Sequence, residues 1–205
     1  MDTAILVAHY DHDIGWVDNI NIKKFIYSKT NKNYNFIEPN KGQESLCYLR
    51  YIIDNYNNLP DKTLFSHDHR MSYHQDFNMD DIILKVNWNA DLFFSVNKRD
   101  FYQKEISMNA NREIYIAFLK DNLRLFEKYL TFPSIFSYYS CAQFVVDKGL
   151  ILQYPIEFYQ SLVDFLIETH LDNFTTSRIF EYTWHYIFTR NSVERVYNYS
   201  DIFLR

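Results

Sequence analysis

Short apolar runs that break abruptly into polar clusters constrain this chain more than any other feature. Thr3-Ala4-Ile5-Leu6-Val7-Ala8-His9 passes straight into the polar stretch 10–15, and Lys62-Thr63-Leu64-Phe65-Ser66 delivers the chain into His67-Asp68-His69-Arg70. Runs of this length read as buried strands that end in loops. Lys24–Ser28 is a further strand of this kind and Tyr34–Ile37 a third candidate, with Pro39-Asn40-Lys41-Gly42 as the turn that follows. From Gln43 to Asn58 the apolar residues Leu46, Leu49, Ile52, Ile53 and Tyr56 recur at helical spacing. Short strands separated by helices predict an α/β domain with a mixed, mostly parallel sheet covered on both faces.

Further along, the pattern predicts a short helix over Met79–Val86, a longer one over Glu113–Leu130 and a strand over Ala142–Asp147. Pro155 reads as the first residue of a helix that puts Ile156, Tyr159, Leu162, Val163, Leu166 and Ile167 on one face, and Ser177–Thr189 as a last helix. No pattern assigns residues 87–109. With 205 residues and no repeat, linker or low-complexity tract, residues 1–205 read as one domain. Open sheets of this type bind ligands beyond the carboxyl ends of their strands, so the loops after residues 9, 28 and 66 are the first places to look.

Composition removes several classes of function. The three glycines, Gly15, Gly42 and Gly149, lie far apart, which excludes the clustered-glycine phosphate loops and the hydrolase nucleophile elbow. A formal charge of −5 gives no basic field for a nucleic-acid backbone. Cys47 and Cys141 lack metal spacing and read as small buried apolar residues, which suits a reducing compartment. Ala4–Ala8 is too short for a signal-peptide core and no membrane span is visible, so the expected location is cytoplasmic. Asn173 and Asn198 fall in glycosylation sequons that read as chance in an asparagine-rich chain, a bias that suits an AT-rich genome.

The densest group of potential ligands is His67-Asp68-His69, with His74 and Asp76 shortly after. Imidazole nitrogen and carboxylate oxygen together suit manganese or zinc, and with fewer nitrogens magnesium. On extended backbone His67 and His69 share a side that Asp68 does not, a constraint that a turn after Ser66 would relax. In the last helix Arg178, Glu181 and His185 share a face at i, i+3 and i+7, and the aromatic residues crowding it argue that the face lines a cleft. Tyr10, Asp11, Asp13 and Trp16 read either as a shelf for a base or sugar ring, or as loop punctuation around a core tryptophan. The turn at Asn40-Lys41-Gly42 reads either as a phosphate cradle at a helix start or as a plain cap.

The segments 8–16 (Ala8-His9-Tyr10-Asp11-His12-Asp13-Ile14-Gly15-Trp16), 26–29, 40–44 with Tyr48-Leu49, 55–60 and Leu64-Phe65, and later 142–146, 154–159 and 181–188, resemble a family known as a domain of unknown function and common in fungi. The resemblance spans most of the chain except about residues 85–135. Members of that family are similar to the compact glycosyltransferases of large DNA viruses that infect algae. The resemblance therefore implies a GT-A-like fold, a uridine diphosphate sugar donor, a glycan or glycoprotein acceptor and manganese or magnesium as cofactor. Where such enzymes carry Asp-x-Asp, this chain has His67-Asp68-His69, with one carboxylate only. The resemblance implies Asp68 as the metal and diphosphate residue, with His67 and His69 beside it and His185 as a late metal ligand. It implies Tyr10, Asp13 and Lys29 on the nucleotide side; beside it, the residues themselves add Gly42 and Arg178 to that side and Glu181 as the expected acceptor-side base.

Sugar transfer needs a counter-charge for the departing diphosphate, and a chain of −5 has to find it locally, in a divalent ion aided by Arg178, Lys29 or Arg70. Two other readings stand beside the transferase. One is a metal-dependent phosphohydrolase built on the His-Asp-His cluster, and the other a catalytically inactive module of the same fold that binds a sugar or a protein.

Overall fold

The computed structural model describes residues 1–107, 129–130, 133 and 135–204. Its strands are β1 (Thr3–His9), β2 (Lys23–Ser28), β3 (Asn35–Phe36), β4 (Lys62–His67), β5 (Phe93–Ser95), β6 (Tyr102–Ser107), β7 (Ile135–Tyr139) and β8 (Phe144–Asp147). The helices are α1 (Glu44–Asn55), α2 (Met79–Lys85), α3 (Lys148–Leu152), α4 (Ile156–Glu168), α5 (Asn173–Thr189) and α6 (Tyr199–Ile202). Six strands form one sheet in the order β3-β2-β1-β4-β8-β5, and β6 and β7 form a separate antiparallel pair. The first four positions are parallel, whereas β8 runs antiparallel to both of its neighbours. The architecture is the expected α/β one.

Because helices cover both faces, the central strands read as unbroken apolar runs while their side chains alternate. Leu6, Ala8 and Phe65 face a core shared with Leu46, Leu49 and Ile52 of α1, Leu162 and Leu166 of α4, and Trp184 and Phe188 of α5. Ile5, Val7 and Leu64 face the other core, with Trp16, Val17, Ile82, Ile83 and Phe203. Trp16 is thus core, and its indole N–H donates to the Asp68 carbonyl at 3.1 Å. A chain of rings ties sheet to helix. Phe65 stacks on Phe144 at 5.1 Å, Phe144 lies 6.0 Å from Trp184 and 5.8 Å from Phe188, and Trp184 stacks on Phe188 at 5.7 Å. Pairs of this kind contribute about 0.5–1.5 kcal/mol each beyond the area they bury.

Several boundaries differ from the sequence expectation for identifiable reasons. Helix α5 begins at Asn173 instead of Ser177, because Asp172 caps it by accepting from the Thr175 amide at 2.7 Å. The polar residues of that first turn carry no apolar period. Pro155 is the capping residue and the helix starts at Ile156. The unassigned stretch 87–109 holds β5, a short 3-10 turn at Arg99–Phe101 and β6, too brief to show a period. The helix expected over Glu113–Leu130 lies outside the described residues apart from its last two positions.

The order of the strands positions the site. β1, β2 and β3 build outward in one direction, and the chain then returns to lay β4 on the other side of β1. The loops leaving β1 and β4 diverge at that reversal and open a crevice at the carboxyl edge.

Candidate functional site

A cleft of about 480 Å³ occupies this crevice. One wall carries His9, Tyr10 and His12 from the end of β1 together with His67, Asp68, His69 and His74. The other carries Lys29, Gln43, Glu44, Cys141, Asn173, Arg178 and Glu181. The three loops singled out by the strand pattern all contribute.

Asp68 lies one residue beyond β4 and its side chain reaches back across the reversal. Its Oδ2 accepts from the backbone N–H groups of Tyr10 at 2.8 Å, Asp11 at 3.3 Å and His12 at 3.2 Å. Burial acts to raise its pKa, but the amides of Tyr10 and His12 and the nearby imidazoles outweigh it and hold the carboxyl below the usual carboxylate range. The other oxygen, Oδ1, meets His12 Nδ1 at 3.2 Å. One carboxylate oxygen therefore organises the loop and the other faces the cleft.

His12, Asp68 and His69 each offer a ligand atom, all within 4.8 Å of one another, and the His12 and His69 rings meet edge to face at 4.0 Å. Bonds of about 2.1 Å to a common ion put neighbouring ligand atoms about 3 Å apart, so the His12–Asp68 spacing fits one cation. Burial, and then the charge His12 would carry, push the His69 pKa down, which keeps its imidazole in the neutral form that metals take. Two nitrogens with one oxygen suit manganese, zinc or iron better than magnesium, and half-exposed His12 leaves coordination positions open to a ligand.

His67 and His185 do not join this set. His67 is still part of β4, so its ring points elsewhere than its successors', 6.2 Å from His69 and 5.6 Å from His74 by ring centroid. Burial, followed by the repulsion of its neighbouring imidazoles, pushes His67 down to about 3. His185 lies one turn beyond Glu181, behind the cleft, with Nδ1 4.0 Å from Glu194 and Nε2 3.4 Å from the Ser192 carbonyl. Burial pushes it down to about 4 and the Glu194 carboxyl up to about 8. The helical face predicted over Arg178, Glu181 and His185 lines the cleft only in its first two members.

Three further expectations are corrected. Asp13 is exposed and its carboxylate accepts from the Gly15 amide at 2.9 Å, so it closes a turn outside the cleft. Arg70 forms a two-pronged pair with Asp80, also away from the cleft. The Gly42 amide donates to Asn173 Oδ1 at 3.1 Å and offers nothing to a phosphate. This glycine is needed for another reason: it sits at φ +63°, and a Cβ there would lie 2.8 Å from Leu166. Gly42→Ala is expected to cost about 1–3 kcal/mol in chemical denaturation; an unchanged midpoint would refute the packing argument.

Lys29 is buried, donates from Nζ to the Lys41 carbonyl at 2.5 Å, and has its pKa lowered by desolvation. Arg178 is paired with Glu181, whose other carboxylate oxygen accepts from the Cys141 amide at 2.9 Å. Both Glu181 oxygens are engaged. Glu44, in the first turn of α1, has its carboxylate hydrogen-bonded to its own backbone amide and, among the described residues, no ion pair with another side chain. Desolvation, with Glu181 nearby, pushes its pKa up to about 7.

Among the lining residues the sequence pattern passed over are His12 and Glu44. The signal for Glu44 was its place at the start of a helix that follows a parallel strand, since such helices begin at the carboxyl edge where ligands bind. For His12 only its place in the polar stretch after the first strand was available.

Fold and cleft together define an α/β protein with a cleft at its strand-order reversal. The chain belongs to the family described as protein of unknown function (DUF3431), whose model matches residues 5–200. No curated protein and no solved structure matches it. No helix among the described residues is long and apolar enough to cross a membrane.

Proposed function

We propose that this protein is a metal-assisted glycosyltransferase that moves a sugar from a nucleoside diphosphate, uridine diphosphate above all, to a glycan or glycoprotein acceptor. The observation that carries the reading is the meeting, in one cleft, of three residues able to hold a cation, His12, Asp68 and His69, with the cations Lys29 and Arg178 and the carboxylate of Glu44. A divalent ion, when bound, stabilises negative charge developing on the leaving diphosphate.

The protein's own groups account for the rest. Lys29, anchored on the Lys41 carbonyl, and Arg178, anchored on Glu181, present fixed positive charge to phosphate oxygens. The acceptor hydroxyl loses its proton to Glu44 as its oxygen bonds to the sugar carbon, and the bond from that carbon to the diphosphate oxygen breaks with its electron pair. Glu44 replaces Glu181 as base in this scheme because no other side chain pairs with its carboxylate among the described residues and burial raises its pKa, whereas both Glu181 oxygens are engaged. A metal-dependent phosphohydrolase is the second reading, favoured by the two imidazoles of the cation site; Glu44 would then act on water.

Thermal unfolding with uridine, guanosine and cytidine diphosphates, each with and without manganese, tests the proposal. The expected result is stabilisation by the uridine nucleotide that appears only with manganese, since a ligand that prefers the folded state raises apparent stability. Release of phosphate or sugar phosphate without an acceptor would favour the hydrolase, and no shift with any nucleotide would count against both.

A further inference from the structure

Buried among the groups of the cleft is one hydrogen-bond donor whose identity follows from counting. Ser28 Oγ accepts from the amides of Thr30 at 3.2 Å and Asn31 at 2.9 Å, which uses both lone pairs of the hydroxyl. Its single proton is then left for His9 Nδ1, 2.7 Å away. A neutral imidazole that accepts at Nδ1 carries its hydrogen on Nε2. The ring is also fixed in orientation, being 7% exposed and set edge-on to Tyr34 at 5.5 Å. No acceptor among the described residues faces Nε2, and that nitrogen is not sealed from solvent. His9 lines the cleft.

Its surroundings indicate the kind of acceptor. The next residue, Tyr10, gives its amide to Asp68, and the His9 carbonyl accepts from the Lys29 amide at 3.1 Å. The His9 backbone is thus tied to the loop that carries the candidate cation site and to Lys29, and both residues line the same cleft. From this geometry we infer that His9, held by Ser28 as an Nε2–H donor, binds a non-bridging phosphate oxygen of the ligand. His9 is thus a binding residue of the phosphate subsite, and Ser28 its positioning residue. The inference rests on reading the cleft as a phosphate-ligand site.

The test uses the metal-free wild-type protein with ¹⁵N-labelled histidine, arginine and lysine, and inorganic pyrophosphate as the probe. The expected result is a His9 ring protonated at Nε2 before addition, with that proton moving downfield on titration while the Lys29 and Arg178 side-chain signals shift. A ring protonated at Nδ1, or an Nε2 proton that stays put while Lys29 and Arg178 respond, would overturn the His9 assignment and leave the cleft reading standing. If none of the three responds, the cleft does not bind phosphate and both fall. His9→Phe, a ring of similar size without the donor, is expected to weaken pyrophosphate binding about tenfold or more by calorimetry, the range for a hydrogen bond to a charged group. Unchanged affinity in a folded His9→Phe protein would also refute the inference.

Discussion

Asp68→Asn is expected to abolish the manganese-dependent part of the proposed nucleotide stabilisation and to leave the protein folded. The two oxygens of Asp68 have separate duties, so the substitution can divide them. An asparagine keeps one carbonyl oxygen for the amides of Tyr10, Asp11 and His12, and puts an NH₂ donor where Oδ1 faces His12. A ligand is thereby exchanged for a group that repels a cation. Manganese affinity, read by calorimetry, is expected to fall at least about 100-fold, taking the upper range for losing a hydrogen-bond partner of a metal ligand as a lower bound for losing the ligand itself. Asp68→Ala removes both duties and is expected to lower stability by about 1–3 kcal/mol as well. Unchanged manganese affinity in Asp68→Asn would place the ion elsewhere.

Glu44→Gln is expected to slow sugar transfer by about 10²–10⁴-fold, the usual worth of a positioned general base, with nucleotide and manganese binding retained. In the wild-type protein kcat/KM should fall on the acid side of about pH 7, where Glu44 takes up its proton, and that limb should be missing from the residual activity of the variant. A second readout needs no turnover. The folded-state value of about 7 lies above the ordinary 4.5, so ionised Glu44 opposes folding. The penalty is absent below about pH 4.5, grows as pH rises and is complete above about pH 7. Glutamine carries no charge, so the variant should be more stable than wild type at pH 8 and alike at pH 4 in urea denaturation. Full transfer activity in the variant would remove Glu44 from the mechanism.

The strand ends were legible because apolar runs stop where burial stops, and β1 and β4 hand over to His9-Tyr10 and His67-Asp68 as the pattern predicts. Asp68 and His69 were legible as a cluster for the same reason. Their partner was not, since His12 meets them only through the parallel pairing of β1 with β4, a register no local window contains. His185 was misplaced by the converse error: equal spacing on a helix face does not say how far along the helix the cleft extends, and it ends at Glu181. Gly42 and Asp13 have the residue types of ligand loops but spend their polar groups on Asn173 and Gly15, a local commitment that composition cannot reveal.

The ring stack described above joins the two walls of the cleft. Phe65 belongs to the strand that ends beside Asp68, and Trp184 and Phe188 belong to the helix that carries Arg178 and Glu181, with Phe144 wedged between them. Walls bolted through one shared interior cannot swing apart like a jaw. Adjustment of the cleft to a ligand would fall to surface segments such as the one bearing exposed Tyr73, while the distance between the candidate cation site and the helix stays set by the core.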